Sequence, residues 1–417
     1  MICEEKMREI RIGELGRVVT GKTPPSLRPE LFGNKYPFIT PTDIDGVSRE
    51  VVTERFVSED GAVSFKNQMI PAGSVCFVCI GATIGKMCIA ETSSLTNQQI
   101  NSVVVDSTKH DSAFIFYLLR NIAAEVKGIS GGAATPIISK SSFCDIKITV
   151  PSLSLQRRIA LILSAYDDLI ENNARRVAIL EEMARRIYEE WFVRFRFPGH
   201  EDVHMAESEL GLVPDGWSVM FASEAIHINP TTKVPRDGVK PFLAMNCLSD
   251  GSMLIENQGE REGNSGSKFR NCDTLFARIT PCLENGKTGF VQFLPNDDDV
   301  AFGSTEFIVL RSRTLTPEFV YLLARSDSFR ENAIKSMSGA SGRQRVREAC
   351  FDTYMIANPD PELLANFETL VRPMFQLIKK LALKNQNLRT TRDLLLPKLI
   401  SGEIDVSEIP APESIAA

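Results

Sequence analysis

The chain has 417 residues, 43% hydrophobic and 24% charged, with a formal net charge of −6. These values describe a soluble globular protein of two or three domains, each large enough for a core. The start MICEEKMREIRIG is too charged for a signal peptide, and no apolar run reaches membrane-spanning length, so a cytoplasmic location is expected. The nine cysteines then behave as small reduced core residues. Cys76-Phe-Val-Cys79 lies in an apolar, strand-like run with no second pair at zinc spacing, so no metal site is assigned. His200 and His204 stand among Glu and Asp and read as solvated. The acidic balance argues mildly against nucleic acid without excluding it, because its densest runs (Asp297–Asp299, 201–209 and 403–413) are local.

In chain order, Val/Ile/Phe-rich runs separated by Gly, Pro and Ser predict strands at Ile10–Thr20, Tyr36–Thr40, Ser74–Ile80, Ile100–Val105 and Asp145–Val150. Ser112–Val126 predicts a helix. From Pro151 to Phe197 the spacing predicts a much longer helix, roughly 50 Å of it. Its seam runs through Ile159, Leu163, Tyr166, Ile170, Asn173, Val177, Leu180, Ala184, Ile187 and Trp191 in steps of four and three. So narrow an apolar stripe needs a partner helix. Pro361–Leu399 supplies one, with Phe367, Val371, Met374, Ile378, Leu381, Asn385, Leu388 and Leu395 on a similar seam. Arg392 interrupts that seam, and Pro373 is expected in a strained or early turn. A seam Asn on each helix, Asn173 and Asn385, is expected to fix register. Two long helices packed on separate cores are the bland alternative.

The chain also repeats itself. After a polar linker at 199–215, Trp217–Ala357 follows the plan of 11–150 at an offset of about 200 to 208 residues. Ser74-Val-Cys-Phe-Val-Cys-Ile answers to Asp273-Thr-Leu-Phe-Ala-Arg-Ile, Gly85-Lys86 to Gly286-Lys287, and Pro151 to Pro359. A glycine-rich loop precedes the last strand of each half. Its side chains are Thr135, Pro136 and Lys140 in the first half and Arg343, Gln344, Arg345 and Arg347 in the second. Arg and Gln read guanine and adenine edges bidentately, whereas the bland reading is a solvated turn with incidental charge.

Enzyme signatures fail. Pro281-Cys-Leu-Glu-Asn-Gly286-Lys287-Thr288 approaches a phosphate-binding loop but has Pro where the first Gly must be, and Gly81-Ala-Thr-Ile-Gly85-Lys86 has its glycines one residue too close. No nucleophile elbow, HExxH or strand-borne GxGxxG is present.

Several runs carry a resemblance. Val19-Thr-Gly-Lys-Thr-Pro-Pro25, Tyr36-Pro-Phe-Ile-Thr-Pro-Thr-Asp43 and Leu95-Thr-Asn-Gln-Gln-Ile100 resemble target-recognition signatures of the specificity (S) subunits of type I restriction–modification systems. Trp191-Phe-Val-Arg-Phe195 and Leu394-Leu-Leu-Pro-Lys-Leu-Ile-Ser-Gly-Glu403 resemble the ends of that family's two long helices. The second half departs from the pattern, with Asn229-Pro230-Thr231 and Ser304-Thr305-Glu306 in place of the Thr-Pro and Asn-Gln signatures.

The resemblance implies an α+β fold: two repeated α/β target recognition domains separated by two long helices packed as an antiparallel coiled coil. The expected boundaries are 1–150 and 216–358 for the recognition domains and 151–198 and 359–404 for the helices, with a linker at 199–215 and an acidic tail at 405–417. It further implies a non-catalytic chain that reads a split DNA sequence and docks two methyltransferase (M) subunits and two restriction/motor (R) subunits. S-adenosylmethionine would sit in the M subunits and ATP with Mg in the R subunits, and this chain would hold no cofactor and no metal. Candidate DNA-contacting residues are Lys22, Thr23, Thr42, Lys86, Thr135 and Lys140 in the first domain, and Lys287, Arg343, Gln344, Arg345 and Arg347 in the second. Two other readings stay open: a duplicated coiled-coil adaptor for protein partners, and a nucleotide hydrolase resting on the Gly-Lys-Thr turn at 286–288.

Overall fold

The computed structural model of the chain describes residues 7–46, 48–129, 136–339 and 342–408. It divides into two compact units, cut at Asn172/Asn173 and again at Lys384/Asn385. Both cuts fall inside the long helices, Leu153–Tyr188 and Pro361–Ser401.

In the first unit, Arg8–Arg11 pairs antiparallel with Lys147–Val150, tying the two ends of the domain together. A four-stranded antiparallel sheet runs in the order Gly16–Thr20, Ile100–Val105, Val75–Val78, Met87–Ile89. A second sheet orders Phe32–Gly33, Phe56–Val57, Tyr36–Ile39 and Leu95–Thr96, the last two strands being parallel. The run expected as one strand over Ile10–Thr20 is broken by a 3₁₀ turn at Ile12–Glu14. Ile10, Ile12 and Leu15 are all buried, a spacing that no single pleated strand can turn to one face. The helix Ser112–Ile129 buries Phe114 through Leu119 against the first sheet and the long helices.

The long helices run antiparallel inside this unit. Asn385 donates its Nδ2 to the Ile170 carbonyl at 3.0 Å, and further along, toward the C-terminus of the second helix and the N-terminus of the first, Arg392 meets Asp167. Further along, Leu396, Leu399 and Ile400 share a core with Ile159, Ala160 and Leu163. Arg392 therefore does not interrupt the seam; it occupies a seam position, buried beside an acid.

The second unit repeats the plan. Ser218–Phe221 pairs with Met355–Asn358; one sheet orders Ile226–Ile228, Phe307–Ser312, Thr274–Ala277, Thr288–Phe290. The other orders Gly259–Glu262, Val239–Leu243, Val300–Gly303, Ser267–Arg270, with its central pair parallel. Where the first unit has one helix the second has two, Pro317–Arg325 and Asp327–Lys335, divided at Ser326, whose hydroxyl caps the second. The stretch expected as a polar linker holds a β-hairpin, Met205–Ser208 with Gly211–Pro214. Val177, Ala184, Tyr188 and Trp191 share a core with Phe367, Val371, Phe375, Ile378 and Leu381. A π turn at Glu189–Val193 ends the first helix and buries both Trp191 and Phe192, which lie 6.1 and 4.9 Å from the Phe367 ring.

Two seam expectations need correction. Tyr166, Leu180, Ile187, Met374, Leu388 and Leu395 are only half-buried, while the adjacent Asp167, Tyr188, Phe375 and Leu396 are buried. Each helix packs on a globular domain as well as on its partner, and this shifts the buried stripe sideways. Tyr117 reaching Asp167, and Phe290 against Phe375 at 5.0 Å, show that second contact. Pro373 marks no early turn either, since the second helix continues through it and through Pro397. Both prolines are on the exposed face, so the carbonyl each leaves unpaired is not shut into a core.

Candidate nucleic-acid interface

In the first unit the three signature runs converge on one junction. Antiparallel pairing of Gly16–Thr20 with Ile100–Val105 and parallel pairing of Tyr36–Ile39 with Leu95–Thr96 bring them together. Lys22 N donates to Thr96 O at 2.8 Å and Asn97 N to Ile39 O at 3.0 Å. The Thr20 hydroxyl donates to Asn101 Oδ1 at 2.7 Å, and Asn97 Nδ2 donates to Gln99 Oε1 at 3.0 Å. Thr23 donates to Gln98 Oε1 at 2.5 Å on the exposed rim, with Lys22 beside it, its ammonium 5.8 Å from the centre of the Phe65 ring. Thr42 is exposed and its hydroxyl lies 2.8 Å from that of Thr40, whose N–H and hydroxyl both donate to Asp43 at 2.7 Å. Lys140 is exposed on the first turn of the helix Lys140–Asp145; Thr135 lies outside the described residues.

Three backbone bonds of the first unit recur in the second, around the run where its sequence departs from the Asn-Gln signature. Ser304 N donates to Leu243 O at 2.9 Å, the counterpart of Asn97 to Ile39. Arg278 N donates to Glu306 O at 3.0 Å, as Cys79 N does to Gln99 O at 2.8 Å. Thr280 N donates to Gln344 O at 3.1 Å, as Gly81 N does to Pro136 O at 3.0 Å. Lys287 Nζ donates to Leu248 O at 3.1 Å and Lys86 Nζ to Ile44 O at 2.7 Å, so both of these lysines tie a neighbouring loop to the sheet.

An open groove crosses this second frame, with Thr231, Thr232, Lys268, Arg278 and Thr305 beside the apolar Pro230, Phe307 and Val309. Arg311 grips Asp273 through Nε and Nη2, both at 2.7 Å, and Nη2 also donates to Thr232 Oγ1 at 2.9 Å. Arg345 makes a two-point ion pair with Glu306, which holds that carboxyl below its usual pKa. Arg347 Nε donates to Ser338 Oγ at 2.8 Å; Arg343 is exposed and makes no ion pair among the described residues. Sequence reasoning missed Lys268, Arg278, Arg311 and the role of Glu306. The repeat itself carried a signal for Glu306: the offset that aligns Ile100 with Phe307 also aligns Gln99 with Glu306.

Among the described residues no cluster of three His, Cys, Asp or Glu could hold a metal, and no helix is long and apolar enough to cross a membrane.

Residues 4–182 match the family described as type I restriction modification DNA specificity domain. Along its length the chain is similar to type I restriction enzyme specificity subunits. The MjaIX specificity subunit of Methanocaldococcus jannaschii is 25% identical over 416 residues, covering 96% of this chain and 94% of its own. The HindI specificity subunit of Haemophilus influenzae is 34% identical over 144 residues, 34% of this chain and 31% of its own. Among solved structures, the type I S subunit from M. genitalium matches with a TM-score of 0.57 at 13% identity, covering 94% of this chain and 96% of that one, a likeness of fold. The specificity-domain match thus spans the first junction and most of the first long helix, and the full-length likeness takes in the second unit as well.

Proposed function

We propose that this chain is the non-catalytic, DNA-reading subunit of a type I restriction–modification complex. Each globular domain reads one half of a split target through the junction described above, and the paired long helices dock two methyltransferase subunits. Those subunits bind S-adenosylmethionine and methylate adenine; two R subunits using ATP and Mg complete the restriction form in the cytoplasm. The observation that carries the reading is a set of backbone bonds shared by the two units while the side chains carried on them differ. Gln99 and Ile137 in one answer to Glu306 and Arg345 in the other. Such an arrangement suits two related ligands of different sequence, as two unlike half-sites are. The net charge of −6 means that the M subunits supply part of the basic footprint on the phosphates.

The test is methylation of a degenerate duplex library by the chain assembled with its M subunits. A bipartite motif is expected, and replacing 11–150 by the equivalent domain of a relative changes one half of it only. Methylation without a motif, or a swap that rewrites both halves, overturns the reading.

A further inference from the structure

Arg345 is held more completely than any other candidate contact residue. Its N donates to Ser338 O at 3.0 Å and its O accepts from Ser338 N at 3.1 Å. On its other side it bridges to Ile279, flanked by the Gln344–Thr280 and Val346–Arg278 backbone bonds. The side chain is fixed as well. Nε lies 3.0 and 2.9 Å from the two Glu306 oxygens, and Nη2 lies 2.6 Å from one of them. Glu306 therefore occupies the side edge of the guanidinium, made by Nε and Nη2. The end edge, a fork of one N–H from each Nη, points away from that carboxylate, and the side chain is 48% exposed.

A fork of two parallel N–H donors fits two acceptors side by side, as in guanine O6 and N7 or two phosphate oxygens. The charge balance decides between them. With Glu306 attached, Arg345 is half of a neutral pair, and a phosphate drawn to the fork would also meet a fixed carboxylate. A guanine edge carries no net charge and meets no such repulsion. The carboxylate also freezes the long Arg side chain before DNA arrives, so binding loses less rotamer entropy. In the first unit the same bridge is made by Ile80 with Ile137, and Gln99 stands at the position of Glu306. That position has no fork to offer.

We propose that Arg345, positioned by Glu306, reads a guanine edge in the second half-site, and that the first domain has no equivalent at the matching position, Ile137. The proposal rests on the DNA-reading function above and names the side chain that makes the two halves differ.

The test uses the assembled chain and M subunits, S-adenosylmethionine and a degenerate duplex library, with wild type, Arg345→Ala, Arg345→Lys and Glu306→Gln. Arg345→Ala is expected to cut discrimination at one position of the second half-site about tenfold or more, leaving the first half intact. Arg345→Lys keeps the charge but not the fork and relaxes the same position. Glu306→Gln relaxes it partially, because the guanidinium is no longer held by an opposite charge. A uniform loss across all sequences in Arg345→Ala overturns the proposal in favour of a phosphate contact, as does a wild-type motif in Arg345→Lys. A clear wild-type motif left unchanged by all three variants removes the Arg345 assignment and leaves the DNA-reading function standing. If the wild-type complex itself has no motif, both fall together.

Discussion

Arg392 on the second long helix and Asp167 on the first form a buried ion pair, their side chains 2% and 8% exposed. Tyr117 of the globular domain donates its hydroxyl to the other Asp167 oxygen at 2.5 Å, and Arg392 Nε donates to Asp393 at 2.9 Å. Three elements of the first unit are thus joined through one carboxylate. The positions 208 residues away are filled in the second unit by Phe375 and Ala184, an apolar layer.

Removing one partner of such a pair strands a buried charge, so Asp167→Ala and Arg392→Ala are each expected to cost about 3–5 kcal/mol of stability. Replacing both, Asp167→Phe with Arg392→Ala, copies the other unit's layer and is expected to recover most of that loss. Chemical unfolding of the three variants measures this; single variants that lose under about 1 kcal/mol, the range of exposed pairs, would show the pair to be solvated in solution.

Leu381→Asp places an unpaired carboxylate in the core formed with Val177 and Ala184, where Leu381 is 5% exposed. A loss of several kcal/mol is expected. Leu180→Asp, at a half-buried position, costs less. Thermal melts of the two should rank in that order, and recruitment of the M subunits should fail first in Leu381→Asp.

Arg343→Ala and Arg347→Ala are expected to separate base reading from backbone contact. Arg343 is exposed, makes no ion pair among the described residues, and its removal should relax one position of the second half-site. Arg347, tied to Ser338 and Ser336, is expected to contact phosphate; its loss should weaken all sequences alike and make the salt slope shallower by about one. Affinity for a specific and a scrambled duplex, measured across a salt series, distinguishes the two patterns.

Gly21 sits where the signature runs meet, and a Cβ there would lie 2.2 Å from Asn97 O and 2.3 Å from Thr96 O. Both are backbone atoms, so the junction must open to admit it. Gly21→Ala is expected to cost about 1–3 kcal/mol and to erase the first half of the motif while sparing the second. A variant with both halves intact would contradict the placement of the first half-site at this junction.

Glu181 on the first long helix accepts from Ser252 Oγ and Met253 N, both at 2.7 Å, and burial raises its pKa. A carboxyl raised in the folded state lends stability that is complete below its ordinary pKa near 4.5 and is lost as pH climbs through the raised value. Glu181→Gln keeps an acceptor for both donors and has no charge to bury. Its melting temperature is therefore expected to gain on wild type as pH rises from 4.5 to 8. A constant difference across that range would mean that Glu181 ionises in the fold as freely as in water.

The repeat, the two long helices and the signature runs Val19–Pro25, Tyr36–Asp43 and Leu95–Ile100 were legible in the sequence, because period, turn chemistry and strand runs are local properties; that the three runs meet at one junction was not. What the sequence alone could not settle are meetings between residues far apart in the chain. Arg392 reads as a break in an apolar seam until Asp167 is found opposite it, and then it becomes a seam member. Lys86 and Lys287 read as free cations until the Ile44 and Leu248 carbonyls are seen to hold them. The Ser304-Thr305-Glu306 run reads as a lost signature, yet its backbone makes the same bonds as Asn97 to Gln99. In each instance the deciding quantity is which polar group lies within about 3 Å, and a chain reports that only after it has folded.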